Sequence, residues 1–177
     1  MNHYLTIARD NPPLAAAAII AVVGTLTIGG FFFFQYVMLL APCPRCLEQR
    51  YAFYFSVPLA FLLLLGVNHG ASSKVLTAGF VVIAVVMLWN TGLAAYHAGV
   101  EWKFWPAPND CSGPVYKLGS TRDLLNQLQR ISLVRCDEAA WRLFGISLPG
   151  YDALVSLFLA AVAGWGARGT LVRQSQK

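Results

Sequence analysis

Four long apolar segments constrain this chain more than any other feature of its sequence. They cover about residues 14–34, 47–67, 75–95 and 148–167. A helix needs about 20 apolar residues to cross a membrane, and each segment is long enough or nearly so. Only 12% of the residues are charged, whereas roughly a quarter are charged in a typical soluble protein. The sequence therefore predicts an all-α integral membrane protein, built as a bundle of four transmembrane helices.

Two other classes of protein fit the sequence less well. The net charge of +5 does not indicate nucleic-acid binding, because lysines and arginines stand singly between apolar segments and form no basic stripe. A cleaved signal peptide would have a shorter apolar region, of about 7–15 residues, followed closely by a small-x-small cleavage site. Leu40-Ala41-Pro42-Cys43 resembles a lipoprotein processing site, but a proline directly before the cysteine fits such a site poorly.

An even number of spans places both termini on one side of the membrane. The loops of about residues 35–46 and 96–147 then lie together on the other side. These loops contain all four cysteines: Cys43, Cys46, Cys111 and Cys136. Lysine and arginine occur on both sides, so the positive-inside rule does not settle the orientation. Because paired cysteines suit an oxidising compartment, we expect periplasmic cysteines, cytoplasmic termini and a single membrane domain over residues 1–177.

The long loop contains a short amphipathic pattern. Its apolar positions are Leu124, Leu125, Leu128 and Ile131, with charged and polar residues between them. This spacing predicts a short amphipathic helix that is too polar to cross the membrane. The helix either lies on the membrane surface or packs against the interior of the loop, and we favour the surface.

Cys43-Pro44-Arg45-Cys46 stands at the start of the second apolar segment. The prolines on either side of Cys43 predict a turn just outside the hydrocarbon. Two intervening residues allow the sulphurs to meet, and a helix N-terminus stabilises a thiolate, for which Cys46 is the better placed. Arg50 follows one turn later on the same face and keeps its charge at physiological pH. Arg50 either contacts an anion or extends to lipid phosphate, whereas Arg45 is expected to face solvent or headgroups.

Cys111 and Cys136 leave several interpretations open. In a generic extracytoplasmic loop a structural disulfide is favoured, while a redox role requires a disulfide that a partner's thiolate can attack. Zinc could be held by the four cysteines, or by three of them with His97. The chain has one close cysteine pair, which fits no standard zinc finger, so no metal site is predicted. His97 is expected just beyond the third segment, where it is a candidate for a ligand pocket.

One stretch of the chain resembles a known family. Val37–Arg50 (VMLLAPCPRCLEQR) is similar to the signature at the start of the second helix in the DsbB family of bacterial disulfide bond formation proteins. The resemblance extends over nearly the whole chain. It includes four spans, a second cysteine pair about 25 residues apart, Tyr96-His97, and WRLFGISLP before the last span. Arg45 differs, because this position is often apolar in the family; the sequence leaves open whether Arg45 shifts the redox potential of the pair or the affinity for quinone.

The resemblance implies a quinone-dependent thiol oxidase of the bacterial inner membrane. It would reoxidise a periplasmic DsbA-like oxidase of the thioredoxin fold and pass the electrons to a membrane quinone, either ubiquinone or menaquinone. By this analogy, a DsbA-like thiolate attacks Cys111 of a Cys111–Cys136 disulfide, and the freed Cys136 exchanges with Cys43. Cys46 then faces the quinone. The cofactor-binding residues implied are Arg50 and His97. The alternative is a four-helix membrane module with structural disulfides or zinc and no quinone chemistry.

Overall fold

A computed structural model describes residues 11–106, 132–133, 139 and 141–175. Four long helices dominate these residues: α1 (Pro12–Phe32), α2 (Pro44–Asn68), α3 (Ser73–Glu101) and α4 (Leu148–Ser175). Each is long and apolar enough to cross a membrane, which confirms the predicted fold class. The segment predicted to form an amphipathic helix, together with Cys111 and Cys136, lies outside the described residues.

The starts of three helices follow from their local sequence. Pro12-Pro13 occupies the first turn of α1, where the missing N–H groups break no helical hydrogen bond. Cys43 caps α2, and its Sγ accepts the backbone N–H of Cys46 at 3.2 Å. Ser72 caps α3, and its hydroxyl accepts a backbone N–H at 3.4 Å. The cysteine pair therefore belongs to the first turn of α2, and the sulphur of Cys43 takes the part of an N-cap oxygen.

Two helices continue beyond their apolar segments. α1 passes into a π-helical turn, Phe33–Val37. α3 continues to Glu101 although its apolar segment ends at about residue 95. Polar residues such as Gln35 and His97 lower the local hydropathy without breaking a helix. His97 therefore lies inside α3 and is buried, instead of lying in the loop that follows the helix.

The core of the bundle consists of small and apolar side chains from all four helices. Fully buried members are Ala16, Ile20, Phe53, Phe80, Ile83, Met87, Leu159 and Ala163. Gly166 permits a close approach between helices, because a Cβ there would lie 2.8 Å from Ala16 Cβ and 2.9 Å from the Phe80 ring. Small residues at such contacts are typical of membrane helices, which associate through close packing. Large apolar residues such as Leu26 and Trp89 remain on the outside, where lipid would cover them.

Three polar residues are buried between α3 and α4. Asn90 donates from Nδ2 to Asp152 Oδ2 at 3.3 Å and to Ser156 Oγ at 2.9 Å. The side chains of all three are at most 5% exposed. The first turn of α4 contains no acidic residue, and Asp152, one turn further along, contacts Asn90.

Asn90→Ala should lower the free energy of unfolding by about 1–2 kcal/mol, because both Asp152 and Ser156 lose the donor that they share. Thermal unfolding in detergent, followed by circular dichroism, measures the change. Thr91→Ala is the matched control, since the Thr91 hydroxyl donates to Met87 O within α3 at 2.8 Å and joins no second helix. Equal midpoints for the two variants would show that the interhelical hydrogen bonds contribute nothing measurable.

Two small sheets close one end of the bundle. β1 (Leu40–Ala41) pairs in parallel with β2 (Ser132–Leu133), with Ala41 opposite Leu133. β3 (Arg142–Leu143) and β4 (Ile146–Ser147) form an antiparallel hairpin. Its turn, Phe144-Gly145, has φ values of 50° and 82°, the left-handed backbone that a two-residue hairpin turn requires.

The hairpin is held against two helices. Tyr151 of α4 donates its hydroxyl hydrogen to Leu143 O at 3.0 Å. Trp141, just before the hairpin, contacts Phe34 with ring centroids 5.0 Å apart. The hairpin therefore fixes the beginning of α4 beside the π-helical turn, and both elements contribute to the site described next.

Candidate redox site

The two cysteines of the Cys-x-x-Cys sequence meet at the N-terminus of α2. Their Sγ atoms are 2.7 Å apart. Cys43 is buried, whereas Cys46 is partly exposed. A helix N-terminus carries a partial positive charge that stabilises a nearby thiolate. The pair is therefore arranged for dithiol chemistry and needs only a small movement to form a disulfide bond of about 2.05 Å.

A cavity of about 210 Å³ opens beside Cys46. It lies between α1, α2 and the start of α4, and most of its wall is apolar. Phe31 and Phe34 supply aromatic surface. The polar side chains of the wall include Gln35, Gln49, Arg50 and Asp152. A mostly apolar cavity with a few convergent polar groups is typical of a small-molecule site, and here a redox-capable sulphur lies on its wall.

Arg50 lies in the wall of the same cavity, one turn after Cys46. Its guanidinium donates from Nη1 to Gln35 Oε1 at 2.5 Å and lies over the Phe31 ring, 5.3 Å from the centroid. The side chain is 7% exposed, and no described residue accepts a hydrogen bond from Nε. This burial does not fit a side chain that extends to lipid phosphate. A buried cation with a spare donor suits an acceptor in the cavity.

His97 lies beside Cys43 and Gln49. Its Nε2 is 3.8 Å from Cys43 Sγ, and its Nδ1 is 3.2 Å from Gln49 Nε2. His97 does not belong to the cavity wall, and neither does Cys43. The two sulphurs therefore have different surroundings: Cys43 faces the imidazole, and Cys46 faces the cavity.

Arg45, between the two cysteines, does not line the cavity. Its Nη1 lies 2.8 Å from Glu48 Oε2, and both side chains are partly exposed. Such a surface ion pair typically contributes less than about 1 kcal/mol. Its position agrees with the expectation that Arg45 faces solvent or headgroups.

Three residues of the site were not singled out from the sequence: Gln35, Gln49 and Asp152. Gln35 follows four phenylalanines at the end of an apolar segment, and Gln49 precedes Arg50. A polar side chain within or at the end of a membrane span is a signal of function that could have identified them. Of the residues expected from the sequence, the structure brings together Cys43, Cys46, Arg50 and His97, while Cys111 and Cys136 lie outside the described part.

Comparison with known proteins identifies the family. A family model described as disulfide bond formation protein DsbB matches residues 13–166. The chain belongs to the DsbB family. A disulfide bond formation protein B from Xanthomonas campestris pv. campestris is 31% identical over 136 residues, which cover 73% of this chain and 77% of that protein. No solved structure matches the chain.

Two further relatives cover more of the chain. The disulfide bond formation protein B of Burkholderia pseudomallei is 32% identical over 163 residues, or 91% of this chain and 90% of that protein. The protein of the same name from Verminephrobacter eiseniae is 27% identical over an alignment of 180 residues, gaps included. This alignment covers 93% of this chain and 93% of that protein. These matches confirm the DsbB-family resemblance of Val37–Arg50. A DsbB-family protein with four helices able to span a membrane is a multi-pass membrane protein that acts as a disulfide oxidoreductase.

Proposed function

We propose that this DsbB-family protein is a quinone-dependent thiol oxidase that reoxidises a periplasmic DsbA-like protein. One observation carries the proposal: Cys46 and Arg50 lie on the wall of the same, mostly apolar cavity. A quinone has an apolar ring with carbonyl oxygens, so its site needs apolar walls and a hydrogen-bond donor. Phe31 and Phe34 supply the walls, and Arg50 Nε, which has no partner among the described residues, supplies a donor. When bound, the quinone supplies the two-electron acceptor.

The two cysteines are assigned different steps of the reaction. Cys46 faces the cavity and would deliver the electron pair there, with Arg50 binding the acceptor oxygen and stabilising negative charge. Cys43 lies away from the cavity and would exchange with a cysteine of the loop. Because His97 contacts Cys43 and lies off the cavity wall, we assign it to the thiol exchange more readily than to the quinone ring.

The β1–β2 pairing supports Cys136 as the exchange partner of Cys43. Leu133 is paired with Ala41, and these residues precede Cys136 and Cys43 by three and two positions. Because three residues of chain span at most about 10 Å, the pairing of Leu133 with Ala41 favours the proposed exchange between Cys136 and Cys43. The proposed sequence begins when a DsbA-like thiolate attacks Cys111 of a Cys111–Cys136 disulfide. Each turnover converts one partner dithiol into a disulfide and transfers two electrons and two protons to the quinone.

The proposal includes a location and a direction. We place the protein in the bacterial inner membrane with both termini cytoplasmic and the cysteines periplasmic, because thiol oxidation needs an oxidising compartment. The quinone is lipid-soluble and would bind within the membrane, whereas the soluble DsbA-like partner would bind to the periplasmic loop. Since a DsbA-like oxidase is itself a strong oxidant, at about −120 mV, quinone reduction must drive the exchange forward.

The test combines purified protein, a short-chain quinone and a reduced DsbA-like protein. We expect one quinone to be reduced for each dithiol oxidised, followed by quinone absorbance and by thiol titration. Parallel assays with ubiquinone and menaquinone analogues identify the acceptor. Thiol loss without quinone reduction would contradict the proposal. The alternative, a membrane module with structural disulfides or zinc, predicts stoichiometric zinc in the purified protein and no quinone reduction.

A further inference from the structure

Three metal-ligand atoms converge at the site from two helices. Cys43 Sγ, Cys46 Sγ and His97 Nε2 all lie within 4.8 Å of one another. We propose that the dithiol form of this cluster binds a thiophilic divalent cation such as Zn²⁺, and that the bound cation blocks thiol exchange. Metal binding at this cluster is independent of quinone chemistry, because its ligands are these three side chains.

The distances suit a tetrahedral ion. With Zn–S bonds of about 2.3 Å and Zn–N bonds of about 2.0–2.1 Å, the ligand atoms of one Zn²⁺ lie about 3.5–3.8 Å apart. Cys43 Sγ and His97 Nε2 are already 3.8 Å apart. The two sulphurs are 2.7 Å apart and must separate by about 1 Å. Cys46 lies on the cavity wall, so its side chain has space for that rotation.

The surroundings of the cluster resemble those of metal ligands. A metal-bound histidine normally forms a hydrogen bond through its second ring nitrogen, and Nδ1 of His97 meets the Gln49 amide at 3.2 Å. With its NH₂ group towards Nδ1, Gln49 makes Nδ1 the acceptor and leaves the proton on Nε2. A flip of the amide presents its oxygen to an Nδ1–H group instead, and this second orientation leaves Nε2 for the metal. The sulphur of Cys43 accepts the N–H of Cys46 at 3.2 Å, which favours the thiolate that a metal requires.

A buried carboxylate lies on the same helix face as the imidazole. Glu101 follows His97 by four residues on α3, so the two side chains share one face. Glu101 is 6% exposed, and its Oε2 has no hydrogen-bond partner within the described ranges. An acceptor of this kind suits a site in which three protein ligands leave a fourth position for water.

Binding and thiol oxidation exclude each other. A divalent cation that binds two thiols and a neutral imidazole displaces two protons, and no electrons move. Sulphurs bonded to the metal cannot attack a disulfide or form one. Conversely, when Cys43 and Cys46 form a disulfide, neither sulphur is a thiolate that can bind the metal. The site should therefore bind metal in one redox state alone.

Titration with Co²⁺, whose bonds to sulphur absorb visible light, tests the proposal. The experiment uses the full chain with Cys111→Ser and Cys136→Ser, so that loop thiols contribute nothing. We expect the dithiol form to bind one equivalent of Co²⁺, displaceable by Zn²⁺, and the disulfide form to bind none. His97→Ala should weaken binding by at least about 10-fold, and Gln49→Ala by about 10-fold. His69→Ala, in the exposed turn after α2, is the matched control and should leave affinity unchanged.

Three results would overturn the metal site: no Co²⁺ binding by the dithiol form, equal binding by both redox forms, or unchanged affinity after His97→Ala. The comparison of the two redox forms needs no substitution of His97 and remains decisive if that variant fails to fold. Zn²⁺ at one equivalent should also protect both sulphurs from alkylation. These measurements contain no quinone, so failure of the metal site and failure of the proposed oxidase activity are distinguishable.

Discussion

Cys46→Ser is expected to reduce quinone-dependent thiol oxidation by at least about 1,000-fold, because a serine hydroxyl cannot take part in disulfide exchange. The cavity would keep its shape, since the substitution replaces one small atom in its wall. Quinone absorbance, recorded with a reduced DsbA-like partner, measures the loss. Quinone reduction at the rate of the unaltered protein would exclude Cys46 as the electron donor.

The same variant should accumulate a mixed disulfide. In this variant Cys43 is a thiol, and its thiolate can attack the proposed Cys111–Cys136 disulfide at Cys136, which forms a Cys43–Cys136 bond and releases Cys111 as a thiol. Without the Cys46 sulphur, nothing within the pair can then release Cys43. Peptide mass analysis under non-reducing conditions should detect Cys43 joined to Cys136. A Cys43–Cys111 product would contradict the order of exchange inferred from the β1–β2 pairing, while leaving the role of Cys46 intact.

Arg50→Gln is expected to weaken quinone binding by about 10- to 100-fold, because a hydrogen bond from a charged donor contributes about 1.5–3 kcal/mol. The quinone affinity of Arg50→Lys should lie between those of the unaltered protein and Arg50→Gln, because lysine keeps the charge but lacks the planar group that reaches both Gln35 and the cavity. Quinone titration at saturating partner concentration gives the apparent affinity. Arg45→Gln is the matched control. The sequence left open an effect of Arg45 on the redox potential or on quinone affinity; because Arg45 is paired with Glu48 and does not line the cavity, we expect its replacement to change quinone affinity by less than about 3-fold.

Comparing Arg50→Gln with Arg45→Gln shows whether quinone affinity depends on a specific contact of Arg50 or on positive charge in general. Equal losses in both variants would indicate that positive charge near the membrane surface matters, and that Arg50 has no special contact. An unchanged quinone affinity in Arg50→Gln, with lower thermal stability, would make Arg50 a structural partner of Gln35 and Phe31.

The local features of the site could be predicted from the sequence. The prolines around Cys43 predicted a turn, with a helix that restarts near Cys46; in the structure α2 begins slightly earlier, at Pro44, so Cys46 already lies in its first turn. Arg50 follows Cys46 by four residues, so helical periodicity places both on one face, and both lie on the cavity wall. The end of α3 was predicted less well, because hydropathy reports the apolar span and not the point where the helix stops.

The sequence by itself determined the four spans found among the described residues, the approximate start of α2, and the shared face of Cys46 and Arg50. Only the tertiary structure decided which distant side chains meet. Arg50 contacts Gln35, 15 residues away; Cys43 faces His97, 54 residues away; and Asn90 contacts Asp152, 62 residues away. In a membrane bundle the lipid is as apolar as the core, so no polar outer face shows which side of a helix turns inward. These contacts depend on helix rotation and offset, which close packing of the four helices sets.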